Sequence, residues 1–275
     1  MKQRKLFCEI SPLTYKISTH KCIAVRKLKD SISSDNFAKV KNNNKLPVVV
    51  YKHNSLIRRK LGNVDLQLQE NKATNLAIAA PKVNGIIIAP GETFSFWHLV
   101  GSPCERKGYK TGLTIASGNP SKDIGGGMCQ FTNLIHWMIL HSPLDIVEHH
   151  HHDGVDLFPD FGRVVPFGTG TSILYNYKDY RVKNNTNQPF QIIVYTTDEY
   201  LCGELRTTTE LPYSYHIIAE NEYFSREDGI VYRNGQVWRS VVDKSNGNTI
   251  EKILIKTNHA KVMYDTSNLE VVENN

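Results

Sequence analysis

The run Gly125-Gly126-Gly127-Met128-Cys129-Gln130, together with residues 131–140 that follow it, is the strongest local constraint in this sequence. Phe131, Leu134, Ile135 and Met138 fall at i, i+3, i+4 and i+7, one apolar stripe of a helix. Pro143 lies where that helix should already have stopped. Glycines adopt φ > 0 at little cost, so three of them can turn successive amides toward one point. Such a concavity ahead of a helix N-terminus binds anions. A thiol at a helix start is biased toward thiolate. The stretch therefore has the parts of a nucleophile, Cys129, beside an oxyanion site. The competing reading is a buried, inert cysteine after a glycine-rich connector, since free cysteine is among the most buried residue types.

The rest of the sequence narrows the setting. Its 275 residues suffice for one large domain with attachments. No apolar run reaches the length of a transmembrane helix. The basic start, Lys2, Arg4 and Lys5, is followed by no apolar signal region, which predicts a cytoplasmic protein. The five cysteines, Cys8, Cys22, Cys104, Cys129 and Cys202, are scattered and odd in number, with no CxxC pair. That predicts a reducing compartment rather than a disulfide framework. The net charge of +6 is unevenly spread: residues 1–60 hold 15 Lys+Arg against 3 acids, a local +12, which leaves −6 for the remainder. With no RNP-like or zinc-finger signature, no nucleic-acid partner is expected. The basic segment reads as a solvated surface in preference to a site for phosphate or anionic lipid.

Taken in order, residues 1–69 read as a basic, partly helical, peripheral segment, with a strand at 48–53 and a short helix at 56–61. Residues 71–80 read as a helix ended or kinked by Pro81. Residues 86–89 form a short apolar strand between Asn84-Gly85 and Pro90-Gly91. Phe94 and Phe96 alternate with Ser95 as in a half-buried strand, and residues 101–121 read as a loop. Residues 144–152 read as a strand, which puts Ile146, Glu148, His150 and His152 on one face and Val147, His149 and His151 on the other. The chain is strand-rich from Phe167 onward, and Asn234-Gly235 gives a strong hairpin signal. Helices followed by strands, without regular βαβ alternation, predict an α+β fold. The cysteine helix should pack on an antiparallel sheet, with a core over 70–206 and a hairpin-rich extension over 207–275.

Five motifs in this order resemble those of the VanW family: Pro90-Gly91-Glu92-x-Phe94-Ser95-Phe96, Gly108-Tyr109-Lys110, Gly125-Gly126-Gly127-x-Cys129-Gln130, Val147-Glu148 leading to paired histidines, and Asp179-Tyr180-x-Val182-Lys183-Asn184-Asn185-Thr186. The resemblance spans about residues 70–206. It implies a bacterial cell-wall or glycopeptide-resistance context without fixing a reaction, and it maps the family histidines to His150 and His152. It also implies an Asp where this chain has Gly170. Asp153, Asp156 and Asp160 are the nearby acids, with no preference among them.

The residues support three chemistries. In the first, a hydrolase or acyl transferase acts on a small-molecule or peptide-like substrate. Cys129 attacks a carbonyl, His150 or His152 serves as base, and the Gly126-Gly127 or Cys129-Gln130 amides hold the oxyanion, with Gly125 in the same ligand-binding loop and Glu92 lining the cleft or capping a turn. This reading needs no cofactor. In the second, zinc is held by His150 and His152 with Cys129 or Glu148 as the third ligand. In the third, the glycine loop grips an anionic ligand without catalysis. His136 shares the Cys129 face of the helix but lies about 10 Å along it.

Overall fold

A computed structural model describes residues 5–58, 65–116, 119–151, 154–157, 159–160 and 164–273. The fold is α+β. Helix α1 (Pro12–Ile32) is followed by β1 (Asn36–Phe37) and β2 (Val48–Leu56), then α2 (Leu66–Val83), β3 (Ile86–Ile88), β4 (Glu92–Ser95) and the short α3 (Phe96–Val100). A hairpin of β5 (Thr111–Ala116) and β6 (Asn119–Ile124) leads into α4 (Met128–Leu140), the cysteine helix. Then come β7 (Asp145–Glu148), β8 (Val155–Asp156), β9 (Arg181–Lys183), β10 (Phe190–Thr196) and β11 (Tyr200–Thr207). The chain closes with β12 (Tyr213–Glu227), β13 (Ile230–Asp243), β14 (Thr249–Val262) and β15 (Val271–Glu273).

The core is built where α4 and α2 cover a sheet of order β2-β11-β10-β3, antiparallel throughout. Phe131, Leu134, Ile135 and Met138, the predicted stripe, are all buried. Gly203 on β11 lets α4 approach this closely: a Cβ there would lie 2.8 Å from Met138 Sδ and 3.0 Å from Leu134 Cδ2. Phe131 also meets Phe96 edge-on at 5.3 Å between ring centroids. A second sheet, β1-β4-β9-β7, sits beside it; β1 and β4 run parallel and the other pairs antiparallel. Residues 1–69 supply α1, which has no fully buried residue. They also supply β2 and the buried Phe37, Ala38 and Ile57. The third sheet, β15-β12-β13-β14-β8, is drawn mostly from the C-terminal part.

Several local expectations fail for identifiable reasons. Asn234-Gly235 is no turn. β13 runs straight through it, pairing Asn234 with His259 and Gly235 with Asn258. The turn lies at Asp228-Gly229, where φ is +49° and +76° and Glu227 pairs with Ile230, as a two-residue hairpin with both φ positive requires. Gly235 instead faces an irregularity between Glu220 and Tyr223 on β12, where a Cβ would sit 3.2 Å from Glu222 Cγ. The expected loop at 101–121 contains β5 and the start of β6. The expected helix at 56–61 begins on the last residue of β2 and continues into residues outside those described. The expected strand over 144–152 stops at Glu148.

Candidate functional site

Besides Gln130, the polar residues of α4 form one stripe. Cys129, Thr132, Asn133 and His136 recur at i, i+3, i+4 and i+7, and this stripe faces the segment 169–173. Asn133 Oδ1 accepts from Thr171 N–H at 2.6 Å and from the Thr171 hydroxyl at 2.8 Å. The hydroxyls of Thr132 and Thr171 contact each other, and Thr132 donates to the Cys129 carbonyl at 3.2 Å. Segment 169–173 in turn holds the histidine run: Ser172 N–H donates to the His150 carbonyl at 2.7 Å. His149 Nε2 reaches the Gly170 carbonyl at 3.2 Å. A carbonyl only accepts, so Nε2 carries the proton and Nδ1 is the basic nitrogen of His149. Its ring lies 4.2 Å from that of His136 and 4.0 Å from that of His151.

Cys129 is a half-buried residue whose thiol is enclosed and takes hydrogen bonds from the main chain at Ile173 and at Cys129 itself. Burial is the larger influence and pushes its pKa up. This reverses the expectation of a resting thiolate at the helix start, because enclosure outweighs the amides. Burial and the neighbouring rings also keep His149 and His136 neutral. His149 is lowered to about 4, by desolvation and then by His151, and His136 is held well below its ordinary value. His136 Nδ1 lies 3.1 Å from the Tyr180 hydroxyl, and its buried Nε2 has no hydrogen-bond partner among the described residues.

The other described site candidates make contacts of their own. Gln130 donates to Ser55 Oγ at 2.9 Å and to the Leu56 carbonyl at 2.8 Å, so its amide is tied to β2. His150 Nε2 lies 2.9 Å from Glu148, on the opposite face of the run from His149. His152 is outside the described residues, as is Asp153. Glu92 accepts from Ala89 N–H at 2.9 Å and closes a turn, with Gly91 at φ +81°. The glycine run serves close packing in place of an open cradle. Gly125 N–H donates to the Lys110 carbonyl and Gly126 N–H to the Asp123 carbonyl. A Cβ on Gly126 would fall 2.3 Å from the Gly112 carbonyl carbon, and one on Gly127 2.3 Å from Lys72 Cγ. Gly127, at φ +102°, begins α4 with no side-chain cap. Among the described residues, no group of three or more His, Cys, Asp or Glu side chains is placed to hold a metal ion. A groove of about 510 Å³ opens at the far end of α4, against Trp137, His141, Tyr51 and Tyr215, and Cys129 does not line it.

The sequence reading gave no part to a buried charge network beneath the histidines. Asp179, fully buried, accepts from Ser95 Oγ, Trp97 N–H, Tyr180 N–H and Arg181 Nε. Arg181 forks onto Asp30 of α1 at 2.8 and 2.7 Å. Arg26, one turn earlier on α1, forks onto Glu148 at 2.6 Å through each nitrogen. Burial raises the Glu148 carboxyl, but Arg26 and His150 outweigh it and hold it below its usual value. The signal was present in the motif Asp179-Tyr180-x-Val182: the Asp fixes β4 and β9, and the Tyr fixes His136. Asp156 and Asp160, the acids considered in place of the family Asp, pair with Arg233 on β13. Gly170 itself has room, since a Cβ there would meet only Asn133 Oδ1, at 4.0 Å.

This stripe, its glycine lead and the Asp179 motif fall inside the part of the chain, residues 71–206, that matches the family described as VanW like protein. The chain is 35% identical over 219 residues to the vancomycin B-type resistance protein VanW of Enterococcus faecalis, covering 80% of this chain and 79% of that protein. The chain belongs to the VanW family. A further relative, the uncharacterized protein YoaR of Bacillus subtilis, is 29% identical over 126 residues, 45% of this chain and 39% of that one. No solved structure shows significant similarity. Among the described residues of this VanW family member, no helix is long and apolar enough to cross a membrane.

Proposed function

We propose that this VanW family protein is a cysteine-dependent hydrolase or acyl transferase acting on amide bonds of peptide-like substrates in a bacterial cell-wall setting. The observation that carries the reading is the polar stripe of α4, which lines Cys129 and His136 along one side of segment 169–173 with His149 against it. The likeness to the Enterococcus relative, a vancomycin B-type resistance protein, supports the setting.

In this reading the Cys129 sulfur adds to a substrate carbonyl and its proton passes to the imidazole of His149 or His151, with His136 packed against His149 as a positioning residue. The oxyanion is held by the Ile173 amide and the uncapped first amides of α4. Collapse of the adduct expels the amine, which takes the proton from the imidazole, and leaves a thioester on Cys129. Water resolves the thioester to an acid, or a second amine resolves it to a new amide. A neutral imidazole suits the first step, because only the neutral form accepts a proton. The raised pKa of Cys129 means that the thiol loses its proton during attack and not at rest.

The test is incubation of the full chain with a muropeptide mixture, followed by mass spectrometry of products and of the intact protein. Wild type should convert peptides and carry a trappable acyl mass on Cys129. Cys129→Ser should lose both, and His149→Ala should lower turnover at least tenfold while His150→Ala should not. Equal conversion by wild type and Cys129→Ser would overturn the reading.

A further inference from the structure

Helix α1 is amphipathic in the unusual sense: it spends charged groups on its packing face and presents apolar ones outward. Arg26 and Asp30 point inward to Glu148 and Arg181. At 100° per residue, Leu13, Ile17, Ala24 and Leu28 fall within about 60° of one another, on the side of the helix opposite Arg26 and Asp30. Leu13 is 68% exposed, Ile17 50%, Leu28 63% and Ile32 76%. Isolated exposed apolar residues need no explanation, but a run along one helix face does. The basic residues Lys16, Lys21, Lys27 and Lys29 are also exposed, and they border or interrupt this stripe. Two bidentate ion pairs hold the helix to the rest of the molecule in this orientation.

We propose that α1 is a docking surface for an anionic lipid bilayer, lying in the interface plane with Leu13, Ile17, Leu28 and Ile32 immersed and the lysines on headgroup phosphates. Apolar side chains flanked by lysine are the composition of helices that bind in this way. Each lysine near an anionic surface adds attraction that fades within a Debye length. The charge of the stripe's borders decides the occupant: a second copy would bring the same lysines against these, whereas an anionic bilayer complements them. The solvated basic surface expected from composition thus becomes a directed one.

The test is flotation of the full chain with vesicles of 30% phosphatidylglycerol in phosphatidylcholine, beside vesicles of phosphatidylcholine alone. Wild type should float with the anionic vesicles, and 0.5 M salt should release most of it. Ile17→Glu with Leu28→Glu should cut binding at least tenfold. Lys16→Gln, Lys21→Gln, Lys27→Gln and Lys29→Gln together should do the same for anionic vesicles. The altered side chains are exposed, so circular dichroism and melting should stay as in wild type, which separates lost docking from lost folding. Failure to float on either vesicle would overturn the proposal. So would equal binding to both, or a concentration-dependent dimer abolished by the two Glu substitutions.

Discussion

His149 packs against His136 with ring centroids 4.2 Å apart and the planes tilted by 36°, which brings a histidine following β7 to the helix face that carries Cys129 seven residues earlier. Both rings are neutral at pH 7 because burial disfavours the charged form. A free imidazole titrates near 6.5, while folded His149 titrates near 4. Between those values the unfolded chain binds the extra proton, so stability is full above 6.5 and falls as pH drops toward 4. His141, lowered to about 4, adds with the same sign. Melting midpoints measured from pH 7.5 to 4.5 should fall by several degrees, at about 2–4 °C per kcal/mol for a chain of this size. His149→Gln should flatten the profile, and a wild-type midpoint that holds level across the window would show the cluster to be uncoupled from folding.

Cys129 should be slow to alkylate. Its thiol is pushed up by burial, whereas Cys22 is exposed on α1. Iodoacetamide labelling followed by peptide mass spectrometry should find Cys22 modified first at pH 7, with Cys129 gaining as pH rises above its raised value. Faster labelling of Cys129 than of Cys22 at pH 7 would mean that the glycine lead and helix start dominate its environment after all.

Gly126→Ala should destabilise the protein by about 1–3 kcal/mol or more, because the new methyl meets the backbone of Gly112 and neither strand nor helix can yield locally. Urea denaturation measures this directly. A change below about 0.5 kcal/mol would show that the β5–β6 hairpin moves freely against the start of α4.

Gly170→Asp restores the acid that the family pattern places there, at a position with space for it. Its stability should stay within about 0.5 kcal/mol of wild type. The His149 pKa, read from imidazole proton shifts, should rise from about 4, since a carboxylate nearby favours the imidazolium. An unmoved His149 would place the introduced carboxylate outside its field.

Much of this molecule follows from residue spacing alone. The buried stripe of α4, the strands β2, β3, β10 and β11, and the opposite facing of His149 and His150 all depend on local periodicity, which short-range backbone geometry enforces. The family motifs likewise fixed which residues belong together. What spacing could not decide is which of two alternating faces meets the cysteine helix. That choice was made by long-range pairing. Glu148 was drawn to Arg26, 122 residues before it, His150 followed onto Glu148, and Gly170 drew His149 toward α4. The same holds for Asn234-Gly235, a turn signal overruled when β14 supplied partners on one side and the β12 irregularity a place on the other. The glycine run shows the limit most plainly. Glycine composition permits an open amide cradle or a close backbone crossing, and only the arrival of Gly112 and Lys72 against it selected the crossing.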